Sequence, residues 1–256
     1  MQFAATFHDI KGKSVFISGG GSGIGEYLTE GFIAQGAKVA FVQRSDATPL
    51  CDRLEAAYGN RPLFIPCDVA DIPALKDALG RAGDAHGAVS VLVNNAAWDN
   101  RHTLDSLTVE EWDHMQNVNL RHHFFTTQAV APAMRARGGG SIINYSSISY
   151  MMGNSGYPAY ATAKAAITGL TRALARELGP DNIRVNALVP GWVLTDRQRK
   201  LWATEEALKG HIARQCLKVE IPPEAMVEPT LFLASDASTV MTSQVLVIDA
   251  GVVVTG

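Results

Sequence analysis

The sequence predicts a single doubly wound α/β domain, a Rossmann-type parallel sheet of about seven strands with helices on both faces. Three observations predict it. Short β-rich runs alternate with helical patterns from end to end, and those runs are apolar throughout rather than at every second residue. No linker, repeat or low-complexity stretch divides residues 1–256. Strands that are apolar on both sides belong in a parallel sheet buried on both faces.

In chain order the strands read "SVFISG" (14–19), "KVAFVQ" (38–43), "LFIPCD" (63–68), "VSVLVNN" (89–95), "SIINYSS" (141–147), "IRVNALVP" (183–190) and "QVLVIDAG" (244–251). Helix-periodic segments lie between them, among them "IGEYLTEGFIAQG" and "YATAKAAITGLTRALAREL". "TVEE" at Thr108 is a capping box that opens a long helix, and Gly138 to Gly140 close it. Segments 97–105, 148–157 and 191–220 follow strands four, five and six, at the sheet edge where open α/β folds bind ligands.

The first strand runs straight into "SGGGSGIGEYL". Gly19, Gly23 and Gly25, with Ser22 and Ile24 between them, fall at the strand–helix turn. Backbone N–H groups and a helix N-terminus can cradle a pyrophosphate there. A tight turn needs glycine even without a ligand, but this one sits in the first β-α-β unit, which favours a dinucleotide. Asp68, followed by Val69, is placed to meet an adenine edge or else to cap the helix before "IPAL". "NNAA" (94–97) puts the small residues around Asn95 and Ala96 where a cofactor can lie against backbone, while Asn94 either joins them or clasps neighbouring strands. The second strand ends "FVQRSD". Gln43 stands where an acid would bind the ribose hydroxyls of NAD, and Arg44 can pair with a 2′-phosphate. NADP is therefore the expected cofactor and NAD the alternative, for which Asp46 would have to swing back.

"YPAYATAKAAI" (157–167) sets Tyr160 one helical turn before Lys164. A phenol is a poor base at neutral pH unless its anion is stabilised, and a neighbouring ammonium lowers its pKa. Ser147 ends the fifth strand, where its hydroxyl can orient a substrate oxygen while Tyr160 exchanges the proton on that oxygen. Lys164 can also hold a nicotinamide ribose, and Asn119 in "QNVNL" can hold a water bonded to Lys164.

In combination these residues resemble the short-chain dehydrogenase/reductase family: the glycine loop, "NNAA", Asn119, Ser147, "YATAK" and "PGWVLT" (190–195), over nearly the whole chain. The resemblance implies an NAD(P)-dependent oxidoreductase and a homo-oligomer, a tetramer with interfaces on the helices at 108–137 and 157–178. It assigns Ser147 to substrate orientation, Tyr160 to acid/base chemistry, Lys164 to pKa tuning and ribose binding, and Asn119 to a water. It also places Pro190, Gly191, Val193 and Thr195 beside the nicotinamide. Ser18 replaces the family's usual threonine and Ala97 the last glycine of its NNAG; Ser22 stands where many NADP-preferring members carry a basic residue. "NVNLRHHFFTTQAVAPAM", "RALARELGPDNIRVNALVPG" and "QCLKVEIPPE" are similar to the family's sugar 1-dehydrogenases, those acting on D-xylose or L-arabinose. That likeness implies oxidation of an aldose, a pentose or 6-deoxyhexose, at its anomeric carbon to a lactone. The polar run "WDNRH" (98–102) suits a polyhydroxylated ligand, with Trp98, Asn100, Arg101, Asn154 and Trp192 as candidate contacts. The alternatives are a dehydrogenase or reductase of another alcohol or ketone (keto acid, acyl or steroid) and an inactive nucleotide-binding regulator.

Composition excludes other classes. With 47% hydrophobic and 18% charged residues and a net charge of −3, the chain has no basic footprint for nucleic acid. No apolar run approaches the roughly 20 residues that span a bilayer, and "MQFAATFHDIKGK" does not read as a secretion signal. Cys51, Cys67 and Cys216, odd in number and in no CxxC pair, read as reduced thiols of a cytoplasmic chain. His102, His114, His122 and His123 have no metal-ligand spacing, so no metal is expected, and surface positions or places behind the site suit them. Trp112 and Met115 read as core or subunit contact, and the "NYS" at Asn144 lies in a buried strand, which makes its glycosylation pattern a coincidence.

Overall fold

The computed structural model describes residues 4–254 and holds one seven-stranded sheet, parallel at every pairing. The strands are β1 (Ser14–Ser18), β2 (Lys38–Gln43), β3 (Leu63–Pro66), β4 (Val91–Asn94), β5 (Gly140–Tyr145), β6 (Ile183–Pro190) and β7 (Val245–Ile248), in the order β3-β2-β1-β4-β5-β6-β7. The chain reverses direction across the sheet between β1 and β4, which makes that edge the ligand crevice of an open α/β fold. Most strands stop earlier than the sequence predicts. β3 ends at Pro66 rather than Asp68, β4 at Asn94 and β5 at Tyr145, so Asp68, Asn95 and Ser147 lie just past the sheet.

The helices are α1 (Ile24–Ala34), α2 (Thr48–Tyr58), α3 (Ile72–His86), α4 (Val109–Gln116), α5 (His122–Ala136), α6 (Ser149–Met152), α7 (Pro158–Leu178), α8 (Asp196–Leu201), α9 (Glu205–Arg214) and α10 (Val227–Ala234). Two cores explain why the strands are apolar throughout. On one face Ile17 and Phe41 pack with Leu28 and Phe32 of α1, Leu54 of α2 and Leu231 of α10. On the other, their strand neighbours Phe16 and Val42 pack with Leu75 of α3, Met134 of α5 and Leu178 of α7. Each such buried side chain contributes about 1.5–3 kcal/mol relative to exposure, so a polar residue on either side of these strands would be costly.

The capping box forms as predicted: Thr108 Oγ1 accepts from the Glu111 N–H at 3.1 Å, and Glu111 Oε2 from the Thr108 N–H at 3.2 Å. The helix it opens is not continuous. A π-helical turn, Asn117–Arg121, separates α4 from α5. The wider turn rotates α5 relative to α4, and both His122 and His123 end up fully buried rather than at the surface. His122 Nε2 lies 3.2 Å from Ser18 Oγ and His123 Nδ1 lies 3.3 Å from Asn144 Oδ1. Burial holds both rings neutral, lowering His122 to about 3 and His123 well below the usual histidine range.

Asn94 acts as a strand clasp, its Nδ2 donating to Asn144 Oδ1 at 2.9 Å while its Oδ1 accepts from Thr126. Met115 is core, whereas Trp112 is 38% exposed. The three cysteines are free. Among the described residues no helix is long and apolar enough to cross a membrane, and no group of His, Cys, Asp or Glu is arranged to hold a metal.

Candidate active site

A cleft of about 1330 Å³ runs along the carboxyl ends of the strands, floored at one end by the glycine loop. Gly19 has a φ of +69°, a left-handed conformation that favours glycine. Gly25 has no room for a side chain: a Cβ there would sit 1.8 Å from the Gly19 carbonyl oxygen. Loop and helix therefore meet backbone to backbone, with Ile24, the first residue of α1, lining the cleft. Asn95 braces the loop, its Nδ2 donating to the carbonyls of Ser18 (3.2 Å) and Gly19 (3.0 Å). Ser18 Oγ accepts the N–H groups of Asn95 and Ala96 at 3.0 and 3.1 Å, which leaves its own proton for His122. Serine in the threonine position thus keeps the hydroxyl that ties β1 to β4. Gly19, Ser22, Gly23, Ile24, Asn95 and Ala96 all line the cleft, so this end fits the pyrophosphate of a dinucleotide.

The adenosine end is lined by Gln43, Arg44, Asp68 and Val69. Gln43 lies over Gly21, where a Cβ would come within 2.4 Å of its amide, and its Nε2 donates to Ser45 O. Arg44 is exposed, with one guanidinium nitrogen 3.8 Å from the Asp68 carboxylate. Asp46 does not swing back, because its carboxylate accepts from the Thr48 N–H and hydroxyl at the start of α2. Asp68 is not the cap of α3 either. Asp71 takes that place, accepting from Ala74 N at 3.0 Å.

Ser147, Tyr160 and Lys164 share the cleft wall, as the sequence predicts. Lys164 is 1% exposed; its Nζ donates to the Tyr145 carbonyl at 2.9 Å and lies 5.5 Å from the centre of the Tyr160 ring. The electrostatics differ from expectation. Enclosure and the Asp99 carboxylate push the half-buried Tyr160 above the usual phenol range, against smaller opposing effects of Ser147 and Arg101. Burial lowers Lys164 to about 7, against the attraction of Asp99. The ammonium sits against the ring and bonds a carbonyl, so it does not pull the phenol down in the way the i, i+4 spacing suggested.

The Asn119 side chain does not reach toward Lys164. Its Oδ1 accepts from Trp98 N at 2.8 Å and its Nδ2 donates to the carbonyls of Trp98 and Met115, both at 2.9 Å. It clamps the loop after β4 to the π-turn, and its amide is committed to that clamp rather than to a water.

Trp98, Arg101, Asn154 and Trp192 line the cleft; Asn100 does not, and only its carbonyl is engaged, by His102 Nδ1 at 3.0 Å. Arg101 lies between the rings of Tyr157 (4.5 Å) and Trp202 (5.0 Å). Pro190, Gly191, Val193 and Thr195 line the opposite wall, where Thr195 Oγ1 caps α8 through Gln198 N.

Three residues that the sequence left unassigned, Asp99, Gln198 and Gln116, matter here, together with His102, expected at the surface or behind the site. Asp99 faces the cleft, and its Oδ2 accepts from Gln198 Nε2 at 2.6 Å, while Gln198 Oε1 accepts from Trp192 Nε1 at 3.0 Å. His102 Nε2 accepts from Ala159 N at 3.1 Å and Gln116 Nε2 donates to Ala159 O at 3.0 Å. Both peptide groups of the residue before Tyr160 are thereby gripped by distant side chains, in a helix whose N-cap Tyr157 makes no side-chain cap bond. The polarity of "WDNRH" signalled a site, but not which of its members turn inward.

The arrangement suits proton exchange at an oxygen lying between Ser147 and Tyr160, beside a bound dinucleotide. The signature of the family described as enoyl-(acyl carrier protein) reductase matches residues 19–253. The chain is 49% identical over 251 residues, covering 97% of it and 98% of the relative, to the protein named "Probable galactose dehydrogenase GalD" from Rhizobium meliloti (strain 1021). It is equally similar, with the same coverage, to D-xylose 1-dehydrogenase from Caulobacter vibrioides. The crystal structure of L-sorbose reductase from Gluconobacter frateurii, complexed with NADPH and L-sorbose, superposes with a TM-score of 0.90 at 27% identity, over 98% of this chain and 100% of that one.

Proposed function

Since the chain belongs to the short-chain dehydrogenase/reductase family and is an oxidoreductase of its sugar-dehydrogenase type, we propose that it oxidises the anomeric carbon of an aldose to a lactone. The substrate class is a pentose or 6-deoxyhexose, and the enzyme works in the cytoplasm with NADP in preference to NAD. The observation that carries this reading is the convergence of Ser147 and Tyr160 on one wall of a cleft whose facing loops present Trp98, Asp99, Arg101 and Trp192. A ring with several hydroxyls finds acceptors, donors and aromatic faces there, where a steroid or acyl chain would need apolar surface.

When bound, the dinucleotide supplies the hydride acceptor; the glycine loop, Asp68 and Val69, and the residues from Pro190 to Thr195 would hold it. Ser147 donates to the anomeric oxygen and fixes its direction. Tyr160 takes the proton from that oxygen as the hydride leaves C1, and the ring stays closed as the lactone. The grip on Ala159 holds the phenol at a fixed height on the cleft wall. The Arg101 guanidinium is the cation whose charge favours the phenolate that accepts this proton, and Lys164 takes a ribose hydroxyl. Arg44, exposed at the mouth of the cleft and only loosely paired with Asp68 at 3.8 Å, supports a 2′-phosphate, and nothing acidic at position 43 opposes it.

The test is a panel of aldoses, hydroxy acids, steroids and acyl alcohols with NADP and with NAD, following reduced nicotinamide and assaying lactone. Turnover of a pentose or 6-deoxyhexose with lactone release is expected. Turnover of steroid or acyl substrates with failure of every aldose overturns the reading.

A further inference from the structure

We infer that Asp99 is the specificity-determining residue of the cleft, its carboxylate accepting a hydrogen bond from the hydroxyl on the carbon next to the one oxidised. This rests on the aldose reading above. Asp99 stands on the cleft wall, 22% exposed, on the loop that Asn119 clamps at Trp98. A carboxylate accepts about four hydrogen bonds and donates none. Gln198 Nε2 takes one, and Arg197 Nε stands 3.5 Å from the other oxygen, so lone pairs remain on the side of the substrate. The orientation is fixed from behind: Gln198 Oε1 is held by the Trp192 indole, which obliges its NH₂ to point at Asp99. Asp99 lines the same cleft as Ser147 and Tyr160, and its negative charge raises both Tyr160 and Lys164. An acceptor beside the proton-transfer group meets the substituent of the neighbouring carbon, and an acceptor-only group selects a hydroxyl there. A 2-deoxy sugar would leave the carboxylate against C–H with its desolvation uncompensated, a mismatch that enzymes turn into large discrimination.

The experiment compares kcat/KM for the best aldose and its 2-deoxy analogue in the wild type, Asp99→Ala and Asp99→Asn. Nucleotide binding, measured by fluorescence, checks that each variant is folded. The wild type should prefer the hydroxylated sugar by roughly 10⁴-fold. In Asp99→Ala the preference should collapse to within about threefold, because the parent sugar loses far more activity than the deoxy sugar. Asp99→Asn, which can still accept from Gln198, should keep an intermediate preference. If both sugars lose activity together, Asp99 serves only to hold α8 through Gln198 and Arg197, and the inference is overturned. Full preference retained in Asp99→Ala overturns it as well, with the aldose reading intact. A wild type that turns over no aldose overturns both.

Discussion

Lys164 is a cation enclosed by protein, and its position has a thermodynamic signature separate from catalysis. In the folded chain it titrates at about 7, below its ordinary 10.5, because burial disfavours the charge. Above pH 10.5 the amine is neutral whether folded or unfolded, and burial carries no ionic penalty. Between 10.5 and 7 the unfolded chain binds the proton more readily, so stability falls as pH falls, by at most about 1.4 kcal/mol per pH unit. Below 7 both states are charged and the penalty is constant. Lys164→Met should therefore be more stable than wild type, with a gap in denaturant midpoint that is largest at about pH 7 and shrinks towards about pH 10; a gap independent of pH would refute the assignment. Tyr160→Phe leaves the fold and the glycine loop untouched, so nucleotide affinity should stay within about twofold while kcat falls roughly 10³-fold, the scale of lost acid/base catalysis. Near-normal kcat would exclude Tyr160 as the acid/base. Arg44→Ala should lower kcat/KM for NADP about tenfold and leave NAD unchanged, since only the 2′-phosphate calls for the guanidinium; equal losses with both cofactors would remove Arg44 as the discriminator. Ser147, Tyr160 and Lys164 were legible from sequence because local spacing carries them. Asn100 was expected inward and Asp99 was missed because successive residues of a loop alternate direction in ways that composition does not encode.

Among the elements, the capping box at Thr108 could be read from four letters because the bonds are local, whereas the π-turn nine residues later could not. Its extra residue is selected by the groups that lie beneath it, namely the Trp98 peptide for Asn119 and Ser18 for His122. The same holds at α7, whose start is fixed by His102 and Gln116 from elsewhere in the chain. The glycine loop is the intermediate case, its residues visible in sequence and its reason visible only in the contact between Gly25 and Gly19. Gly25→Ala forces a methyl onto the Gly19 carbonyl oxygen, 1.8 Å away, and the loop must lift from α1. Nucleotide affinity should drop by at least roughly 100-fold, about 2.7 kcal/mol. Gly80→Ala in α3, where a Cβ meets nothing within 4 Å, should instead stabilise the protein by about 1 kcal/mol through helix propensity. Titration of nucleotide fluorescence and thermal unfolding of the two variants check both directions; normal affinity in Gly25→Ala would mean that the loop's closeness to α1 does not shape the cradle.

For the whole molecule, the doubly wound sheet was legible because seven apolar runs separated by helices have few other ways to bury both faces. Their spatial order was not, since apolar strands of similar length are interchangeable until the helices between them choose a side. Quaternary structure lies one level further out. Among the described residues Val109 (72%), Trp112 (38%) and Phe124 (42%) stand exposed on α4 and α5, helices that flank the cleft without closing it. The apolar C-terminal run "IDAGVVVTG" (248–256), a further candidate for subunit contact, lies partly outside the described residues. Large apolar side chains left in water on successive helices favour a partner surface, and a symmetric pairing would bring the same side chains from a second copy against them. We propose a homotetramer that uses these helices together with α7. Light scattering at micromolar concentration should give four times the mass of one chain. Replacing Trp112 and Phe124 together by lysine should reduce that mass to a dimer or monomer while leaving thermal unfolding cooperative, because neither residue is part of the two sheet cores. A monomeric wild type, or a double variant that remains a tetramer, would place the interface elsewhere or remove it.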